Sequence, residues 1–243
     1  MKRSIFSLVL IGLLALFLVG CKSDDDNNPV NHGTNTSKGL IAYYPFSGNA
    51  DDESGNGLHG IVSGSVLTLD RLGNENSAYQ FDGIDDVITI YDNTLLDITN
   101  DVTIMAWFKI HSKKTGQGII SKVNTNSRSP WDILIEEKLI FQGANAYRDD
   151  AFDITFPDTI ESDQWIYVAG TAKDGMAKFY ANGIITDSAT YSGDLWNNDY
   201  DVYIGTRWTH QEVHFFNGCI DEVRIYNRAL SGDEIDLLYH EGE

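Results

Sequence analysis

The stretch that decides the fold lies near the C-terminus, where residues 216–230 read FNGCIDEVRIYNRAL and residues 231–235 read SGDEI. The first part has the β-branched and aromatic residues of a strand, and the second predicts the start of a short helix. Side chains alternate between the two faces of a strand. Val223 and Ile225 mark one face as the core side, and the same alternation would turn Asp221 inward as well.

Asp221 is the unexpected residue of this strand. A carboxylate on an apolar face is costly unless a cation or hydrogen-bond donors meet it. The sequence leaves open whether a metal ion or backbone N–H groups satisfy Asp221. Its neighbour Cys219 is one of only two cysteines in the chain.

The chain upstream of this stretch reads as short strands separated by Gly, Asn and Asp. KDG at 173–175 and ANG at 181–183 predict tight hairpin turns. Ser231 and Glu234 form a capping box, which is the clearest helix signal. The pattern predicts an all-β fold, a two-sheet antiparallel β-sandwich of the jelly-roll type with a short C-terminal helix. The predicted strands cover residues 40–46, 86–90, 102–110, 118–122, 131–135, 165–171, 176–180, 184–186 and 201–205.

The N-terminus has the features of a processing signal. Lys2 and Arg3 precede an apolar run over residues 5–19, which is too short for a comfortable membrane span. LVGC at 18–21 resembles the lipobox of bacterial lipoproteins, which implies cleavage before Cys21 and lipid attachment to it. The alternative is an ordinary signal peptide or a short membrane anchor. If Cys21 carries lipid, Cys219 has no cysteine to pair with.

An acidic, polar segment follows Cys21. Residues 22–38 are too polar to bury apolar surface, so we expect a disordered tether. Its KSDDDNN start resembles the acidic export signal of some Bacteroidota lipoproteins, which implies an outer-membrane lipoprotein exposed on the cell surface; the alternative is a solvated linker. The predicted organisation is a signal peptide (1–20), a lipidated Cys and tether (21–38) and one folded domain (39–243).

The net charge limits the partners of the chain. With 17 Lys and Arg against 36 Asp and Glu, the formal charge is −19. Such a surface does not suit nucleic acid, whose phosphates need neutralising cations. The excess of carboxylates suits a calcium-containing medium outside the cell.

Several segments resemble the markers of bacterial LamG-like (laminin G-like) domains of the concanavalin A-like lectin/glucanase superfamily. They occur in the family's order: GLIAYYPF at 39–46, FDGIDDV at 81–87, the strand at 103–108, YANG at 180–183 and the closing strand. Residues 111–160 match weakly. The resemblance implies a concanavalin A-like jelly roll that serves as a glycan-binding module, an adhesion domain or an appendage of a polysaccharide-degrading enzyme.

The same resemblance implies a structural calcium between the early loop and the closing strand. Carried over, the ligands are Asp52 and Asp221, with Asn49, Asn56 or nearby carbonyls completing the shell. An EF-hand is excluded because Ser63 stands where its bidentate Glu belongs. The alternative is an Asx-rich turn in which backbone N–H groups satisfy the carboxylates.

Aromatic residues in the loops suggest a sugar platform. Exposed rings stack on the apolar faces of sugars, and neighbouring polar groups bind hydroxyls. The alternative is that each Trp fills an edge of the sandwich, as expected for Trp107 and Trp165 within their strands. The predicted carbohydrate-binding residues are Trp131, Tyr147, Trp196 and Trp208.

The sequence gives little support for catalysis. It has no Glu-x-Asp-x-x-Glu run of the kind that glycosidases of this superfold carry, and its His111, His210 and His214 have no recognisable partner. We therefore predict a non-catalytic surface lipoprotein that binds polysaccharide or another glycan. The alternatives are a protein-interaction or structural lipoprotein that contacts a surface protein, and a divergent glycoside hydrolase or polysaccharide lyase.

Overall fold

The computed structural model describes residues 35–123, 129–145, 151–207 and 214–243. The predicted signal peptide, Cys21 and the tether as far as residue 34 lie outside the described residues. None of the helices in the described part of the chain is long and apolar enough to cross a membrane.

The described residues form fifteen strands, one 3-10 turn at Thr94–Leu96 and one α-helix. The strands of the N-terminal half are β1 (Leu40–Tyr44), β2 (Ile61–Ser63), β3 (Val66–Thr68), β4 (Ala78–Asp82), β5 (Val87–Ile90), β6 (Val102–Ile110) and β7 (Gln117–Ser121). Those that follow are β8 (Asp132–Ile135), β9 (Leu139–Ala144), β10 (Ala151–Thr155), β11 (Trp165–Lys173), β12 (Met176–Ala181), β13 (Ile184–Thr190), β14 (Val202–Ile204) and β15 (Asn217–Tyr226), before helix α1 (Gly232–Tyr239).

The strands build two antiparallel sheets. The eight-stranded sheet runs β13-β12-β11-β6-β15-β4-β3, and β1 also pairs with β15. The seven-stranded sheet runs β10-β9-β8-β7-β14-β5-β2. The main core lies between them and contains apolar residues from both sheets. This is the predicted jelly-roll sandwich with a short C-terminal helix.

The closing strand β15 holds the eight-stranded sheet together. One of its edges pairs with β6 along most of its length. Its other edge pairs first with β4, over Asn217–Ile220, and then with β1, over Val223–Tyr226. One strand thus joins the first strand of the domain to its centre.

A bulge in β15 corrects the predicted faces of this strand. Its register with β6 shifts between Asp221 and Arg224, and Glu222 there has a φ of 53°. A bulge inserts one extra residue, so every side chain after it changes face. Val223 and Ile225 face the main core, whereas Asp221 lies on the opposite, outer face of the sheet.

Helix α1 covers part of that outer face. A second apolar cluster joins Trp107 and Tyr167 of the sheet to Ile235 and Leu238 of the helix. The predicted capping box is confirmed: the Ser231 hydroxyl accepts the Glu234 N–H, and the Glu234 carboxylate accepts the Ser231 N–H.

On this outer face, the buried guanidinium of Arg224 contacts residues of β15, of β1 and of the C-terminal tail. It lies 2.8 Å from the Glu222 carboxylate and 2.5 Å from the Glu241 carboxylate in the C-terminal tail. Its carbon atom lies 4.1 Å from the centre of the Tyr43 ring on β1, and the Tyr43 hydroxyl donates to Glu222. A buried guanidinium is stable only with such partners.

The two hairpins were predicted correctly because their turn residues have the required backbone. Asp174 and Gly175 both have positive φ, and so do Asn182 and Gly183. Two positive φ values define the type I′ turn that matches strand twist. Strands β2, β3, β4, β9 and β10 were not predicted, and the last two fall in the region 111–160 that matches the family weakly.

The packing of the two sheets leaves no room at Gly170. A Cβ added there would lie 2.4 Å from the Phe141 ring of the opposite sheet. We predict that Gly170→Ala lowers the free energy of unfolding by about 1–3 kcal/mol, because the core is already filled. Urea denaturation measures it. Gly232→Ala is the control, since a Cβ there meets nothing closer than 4.0 Å, and equal effects of the two changes would contradict this account.

Candidate functional site

A row of polar side chains crosses the outer face of the seven-stranded sheet. Asp153 on β10 is the register partner of Gln142 on β9, which pairs with Asp132 on β8. The side chains next to them in the chain point into the main core, so the row faces outward; they are Trp131, Ile133, Phe141, Phe152 and Ile154. The row continues to Ser121 on β7.

The chain that follows β14 lies across this face and places Arg207 on it. The Ser121 hydroxyl donates to the Thr206 carbonyl at 2.9 Å. Gly118 on β7 allows the contact, because a Cβ there would lie 2.2 Å from the Arg207 nitrogen. The backbone beside Arg207 is therefore pressed onto the sheet.

Arg207 and Asp132 contact each other, and Glu136 and Gln142 each contact one of them. The Arg207 Nε lies 3.3 Å from the Asp132 carboxylate, and Arg207 Nη1 donates to Glu136 at 3.4 Å. Gln142 donates to the same Asp132 oxygen at 3.2 Å. The guanidinium is thus oriented by two carboxylates, while 22% of its side chain stays exposed.

Asp132 is fully buried beneath this arrangement. Its Oδ1 has no hydrogen-bond partner among the described residues. Burial raises the pKa of Asp132 to about 7, against the lowering effect of the nearby Arg207. A carboxyl group of this kind carries a proton part of the time at neutral pH.

A cavity of about 210 Å³ opens beside the guanidinium. Hydroxyl, amide, carboxylate and guanidinium groups surround it, and together they both donate and accept hydrogen bonds. We call it the Arg207 pocket; it is lined by Ser129, Gln142, Gly143, Asp153 and Arg207.

The structure describes two of the four predicted aromatic residues, Trp131 and Trp196. Trp131 is fully buried in the main core, so its prediction as a sugar-stacking residue is corrected: its ring offers no surface to a ligand. Trp196 is half-buried, and its backbone N–H donates to Ala144 at the end of β9. Tyr147 and Trp208 lie outside the described residues.

The contacts of Asp52 agree with the Asx-turn alternative. Its Oδ1 accepts the N–H groups of Tyr43 and Ser54, and its Oδ2 accepts the Ser54 hydroxyl and the Leu58 N–H, all within 3.0 Å. Burial opposes ionisation, but these hydrogen bonds lower the pKa of Asp52 below its usual value. Protein donors therefore already occupy the carboxylate.

The other predicted calcium ligands also have protein partners. Asn49 accepts the Asp51 N–H at 2.9 Å, and the Asn56 amide donates to the Ile41 carbonyl at 2.8 Å. Among the described residues, the acidic side chains that gather in a group of three are instead Asp82, Asp85 and Asp86. Asp52, Asn49 and Asn56 thus all have protein partners in this arrangement, and the calcium site stays a prediction.

Asp221 is met by a cation of the chain itself. Arg71 lies 3.4 Å from its Oδ2, and Oδ1 has no hydrogen-bond partner in the described part of the chain. Burial is the main cause that raises the pKa of Asp221 to about 8, and the neighbouring Glu222 adds to it. The cation that meets Asp221 Oδ2 in this arrangement is thus a side chain of the protein itself.

Sequence reasoning missed the Arg207 pocket and the partners of His111. Asp132 interrupts the apolar run WDILI, which is the same signal that drew attention to Asp221. His111, predicted to have no partner, lies 2.6 Å from Asp163. His210 lies outside the described residues, and His214 contacts the Gly116 carbonyl at 3.0 Å.

With the fold and this geometry in view, the family is clear. The Laminin_G_3 model, described as concanavalin A-like lectin/glucanases superfamily, matches residues 81–236. The chain belongs to this superfamily, which confirms the LamG-like resemblance. None of the curated proteins matches the chain.

Solved structures share the fold at low sequence identity. Domain 4 of AbnA, a GH43 extracellular arabinanase from Geobacillus stearothermophilus, in complex with arabinotriose, is 21% identical with a TM-score of 0.67, and the match covers 83% of this chain and 98% of that domain. The binding domain of Paraclostridial Mosquitocidal Protein 1 is 18% identical with a TM-score of 0.69, covering 84% and 52%. The botulinum neurotoxin serotype D ligand binding domain in complex with N-acetylneuraminic acid is 18% identical with a TM-score of 0.66, covering 85% and 52%. The chain thus spans about half the length of the two toxin domains.

The role of Asp52 is testable by mutation. We predict that Asp52→Asn lowers the free energy of unfolding by about 1–3 kcal/mol, because an amide leaves donors of the loop unpaired. Thermal melts in EDTA and in calcium chloride should show the same loss. The exposed neighbour Asp51→Asn is the control. The calcium site would be favoured instead if the melting temperature of the parent protein falls in EDTA and recovers in calcium. The Asp52→Asn variant should then lack this response.

Asp132 should make stability depend on pH. Its pKa of about 7 lies above the usual value of 3.8, so the folded state holds a proton that the unfolded state releases. The free energy of unfolding therefore falls as pH rises from about 4 to 7. We predict that Asp132→Asn removes part of this fall, on the order of 2–4 kcal/mol.

Denaturation curves across this pH range measure the effect. The exposed Asp187→Asn serves as the control and should keep the parent slope. Asp221 contributes a fall of the same sign, so some slope should remain in Asp132→Asn. An unchanged slope in Asp132→Asn would contradict the assignment.

Proposed function

We propose that this chain is a non-catalytic carbohydrate-binding domain that contacts its glycan at the Arg207 pocket. The observation that carries the proposal is the partly exposed guanidinium, fixed by Asp132 and Glu136 beside an open cavity. A guanidinium held in one orientation donates hydrogen bonds to sugar hydroxyls without a large loss of side-chain entropy. Gln142 and Asp153 add an amide and a carboxylate at the same opening.

The fold relatives support the ligand class. One relative is a domain solved with arabinotriose and another was solved with N-acetylneuraminic acid. Both are sugars, although the likeness itself concerns the fold. We transfer the class of ligand and not the particular sugar.

Trp196 is the aromatic residue that best suits a stacking role near this pocket. Its N–H is bonded to Ala144, which directly follows the pocket residue Gly143 on β9. Aromatic rings contribute much of the binding energy where they contact a ligand. We propose that Trp196 extends the sugar-binding surface away from the guanidinium.

The arrangement of carboxylates favours binding over hydrolysis. A glycosidase places two carboxyl groups on either side of the scissile bond. Among the described residues that line the Arg207 pocket, the acidic one is Asp153, while Asp132 is fully buried beneath the guanidinium. We therefore propose a non-catalytic role, even though the superfamily includes glucanases.

The motif at 18–21 supports the remaining part of the proposal. We propose that lipid on Cys21 anchors the domain at the outer membrane, with the acidic segment 22–38 as its tether. Such an anchor would display the pocket to polysaccharides outside the cell. A protein-interaction role is the alternative, and a consistent lack of glycan binding would favour it.

The test is a glycan array probed with the full chain, followed by calorimetry on the glycans that bind. We predict that Arg207→Ala weakens binding by about 10–100-fold, as expected for the loss of charge-assisted hydrogen bonds. Lys138→Ala is the matched control, because Lys138 is an exposed cation in the turn between β8 and β9. Trp196→Ala should weaken binding as well.

Three outcomes would contradict the proposal. Binding that survives both Arg207→Ala and Trp196→Ala would place the site elsewhere. Equal losses in Arg207→Ala and Lys138→Ala would indicate a general charge effect. Release of reducing sugar or of unsaturated uronic ends from a bound polysaccharide would show that the domain is an enzyme.

A further inference from the structure

Three polar side chains meet at the eight-stranded sheet, whereas the Arg207 pocket belongs to the seven-stranded sheet. Cys219 is on β15, His111 directly follows β6, and Asp163 precedes β11 by two residues. The strands lie side by side in the order β11-β6-β15. His111 Nδ1 is 2.6 Å from the Asp163 carboxylate, and its Nε2 is 3.6 Å from the Cys219 sulfur.

Backbone hydrogen bonds position His111 and Asp163. The His111 N–H donates to the Asn217 carbonyl at 2.9 Å, and the Asp163 N–H donates to the Ile110 carbonyl at 2.8 Å. Asp163 adopts a φ of 62°, which is uncommon for a residue other than glycine. The backbone at both residues is therefore held in place by hydrogen bonds to neighbouring segments.

The Asp163 contact determines which nitrogen of His111 is available. A carboxylate accepts hydrogen bonds, so Nδ1 carries the proton that it donates to Asp163. The lone pair then lies on Nε2, the nitrogen that faces Cys219. A carboxylate behind the imidazole is the usual support of a metal-binding histidine.

We propose that Cys219 and His111 form a two-residue site for a borderline-soft divalent metal ion of the zinc class. A tetrahedral zinc ion with bonds of about 2.3 Å to sulfur and about 2.1 Å to nitrogen holds these two atoms about 3.6 Å apart. The measured separation is 3.6 Å. The sulfur and nitrogen thus already stand at the spacing that such an ion requires.

The surroundings leave a way in for the ion. The His111 side chain is 34% exposed, although Cys219 itself is buried. Lys109 is the register partner of Cys219, and its ammonium group lies 5.1 Å from the centre of the Trp165 ring. The Lys109 charge favours the ionised form of the Cys219 thiol, which is the form that binds a metal ion.

The chemistry of binding is simple. The metal takes the thiolate of Cys219, and the displaced thiol proton passes to the buffer. His111 supplies its Nε2 lone pair, while Asp163 keeps the Nδ1 proton. Water or a group of a second molecule fills the two other tetrahedral positions.

The experiment uses the full chain with Cys21→Ser, so that Cys219 is its one remaining cysteine. Cobalt(II) is the probe, because cobalt bound to a thiolate gives a charge-transfer band in the near ultraviolet. Zinc(II) should abolish the band and protect Cys219 from alkylation by N-ethylmaleimide. His240→Gln is the matched control, since His240 lies 3.6 Å from Asp236 without a thiol beside it.

We expect the band in the parent and in His240→Gln, and we expect its loss in Cys219→Ser. His111→Gln should weaken cobalt binding at least tenfold. Asp163→Asn should weaken it by about 10–100-fold, as for other residues that orient a metal-binding histidine. Melting temperatures without metal confirm that each variant is folded.

Three results would overturn the proposal. No band at millimolar cobalt would mean that the thiol only donates a hydrogen bond to His111. A band unchanged in His111→Gln would mean that the metal binds Cys219 without the histidine. Faster alkylation of the parent than of His111→Gln, with no metal effect, would instead indicate a histidine-activated thiol.

Discussion

The fold depends on the buried contact between Arg224 and its two carboxylates on β15 and the C-terminal tail. Arg224 follows the bulge, so its position on the outer face requires the extra residue at Glu222. The guanidinium then reaches Glu222, Glu241 and the face of Tyr43. Without these partners a charge in this place would be strongly destabilising. The first strand, the closing strand and the end of the chain are therefore held by one charged group.

The two outer faces of the sandwich serve different purposes. Helix α1 and the C-terminal tail cover part of the eight-stranded sheet, where aromatic rings pack on the helix. Among the described residues, the seven-stranded sheet has no helix on it, and the chain around Arg207 crosses its polar row. The opening on this face is the Arg207 pocket, which is where we propose that a hydroxyl-rich ligand binds. Each face nevertheless buries one carboxyl group with a raised pKa, Asp132 on one and Asp221 on the other.

The sequence predicted what depends on local alternation and turn chemistry. The strand at 102–110, the two type I′ hairpins and the Ser231 capping box agree with the structure because neighbouring residues determine them. The bulge at Glu222 could not be predicted, since one extra residue is tolerated only where β4, β1 and β6 surround β15. The face of Asp221 was wrong for the same reason.

The sites depend even more on distant parts of the chain. Asp132 and Arg207 are far apart in sequence and meet because β7, β8 and β14 are neighbours. His111 and Cys219 are separated by 108 positions and meet through the pairing of β6 with β15. Trp131 shows a different kind of error. Its polar neighbours in the sequence suggested an exposed ring, but the ring lies in the main core because the adjoining strand is a central one.

The bridge between Thr206 and Phe215 has a consequence for how such a domain can diversify. It pairs the two ends of a ten-residue stretch, while Gly118 and Ser121 keep the backbone at Arg207 on the sheet. Length and composition between these ends can then change without moving the guanidinium. A lineage of such domains can keep one fixed hydrogen-bonding group and exchange the chain beside it, as an immunoglobulin domain exchanges its loops on a constant framework.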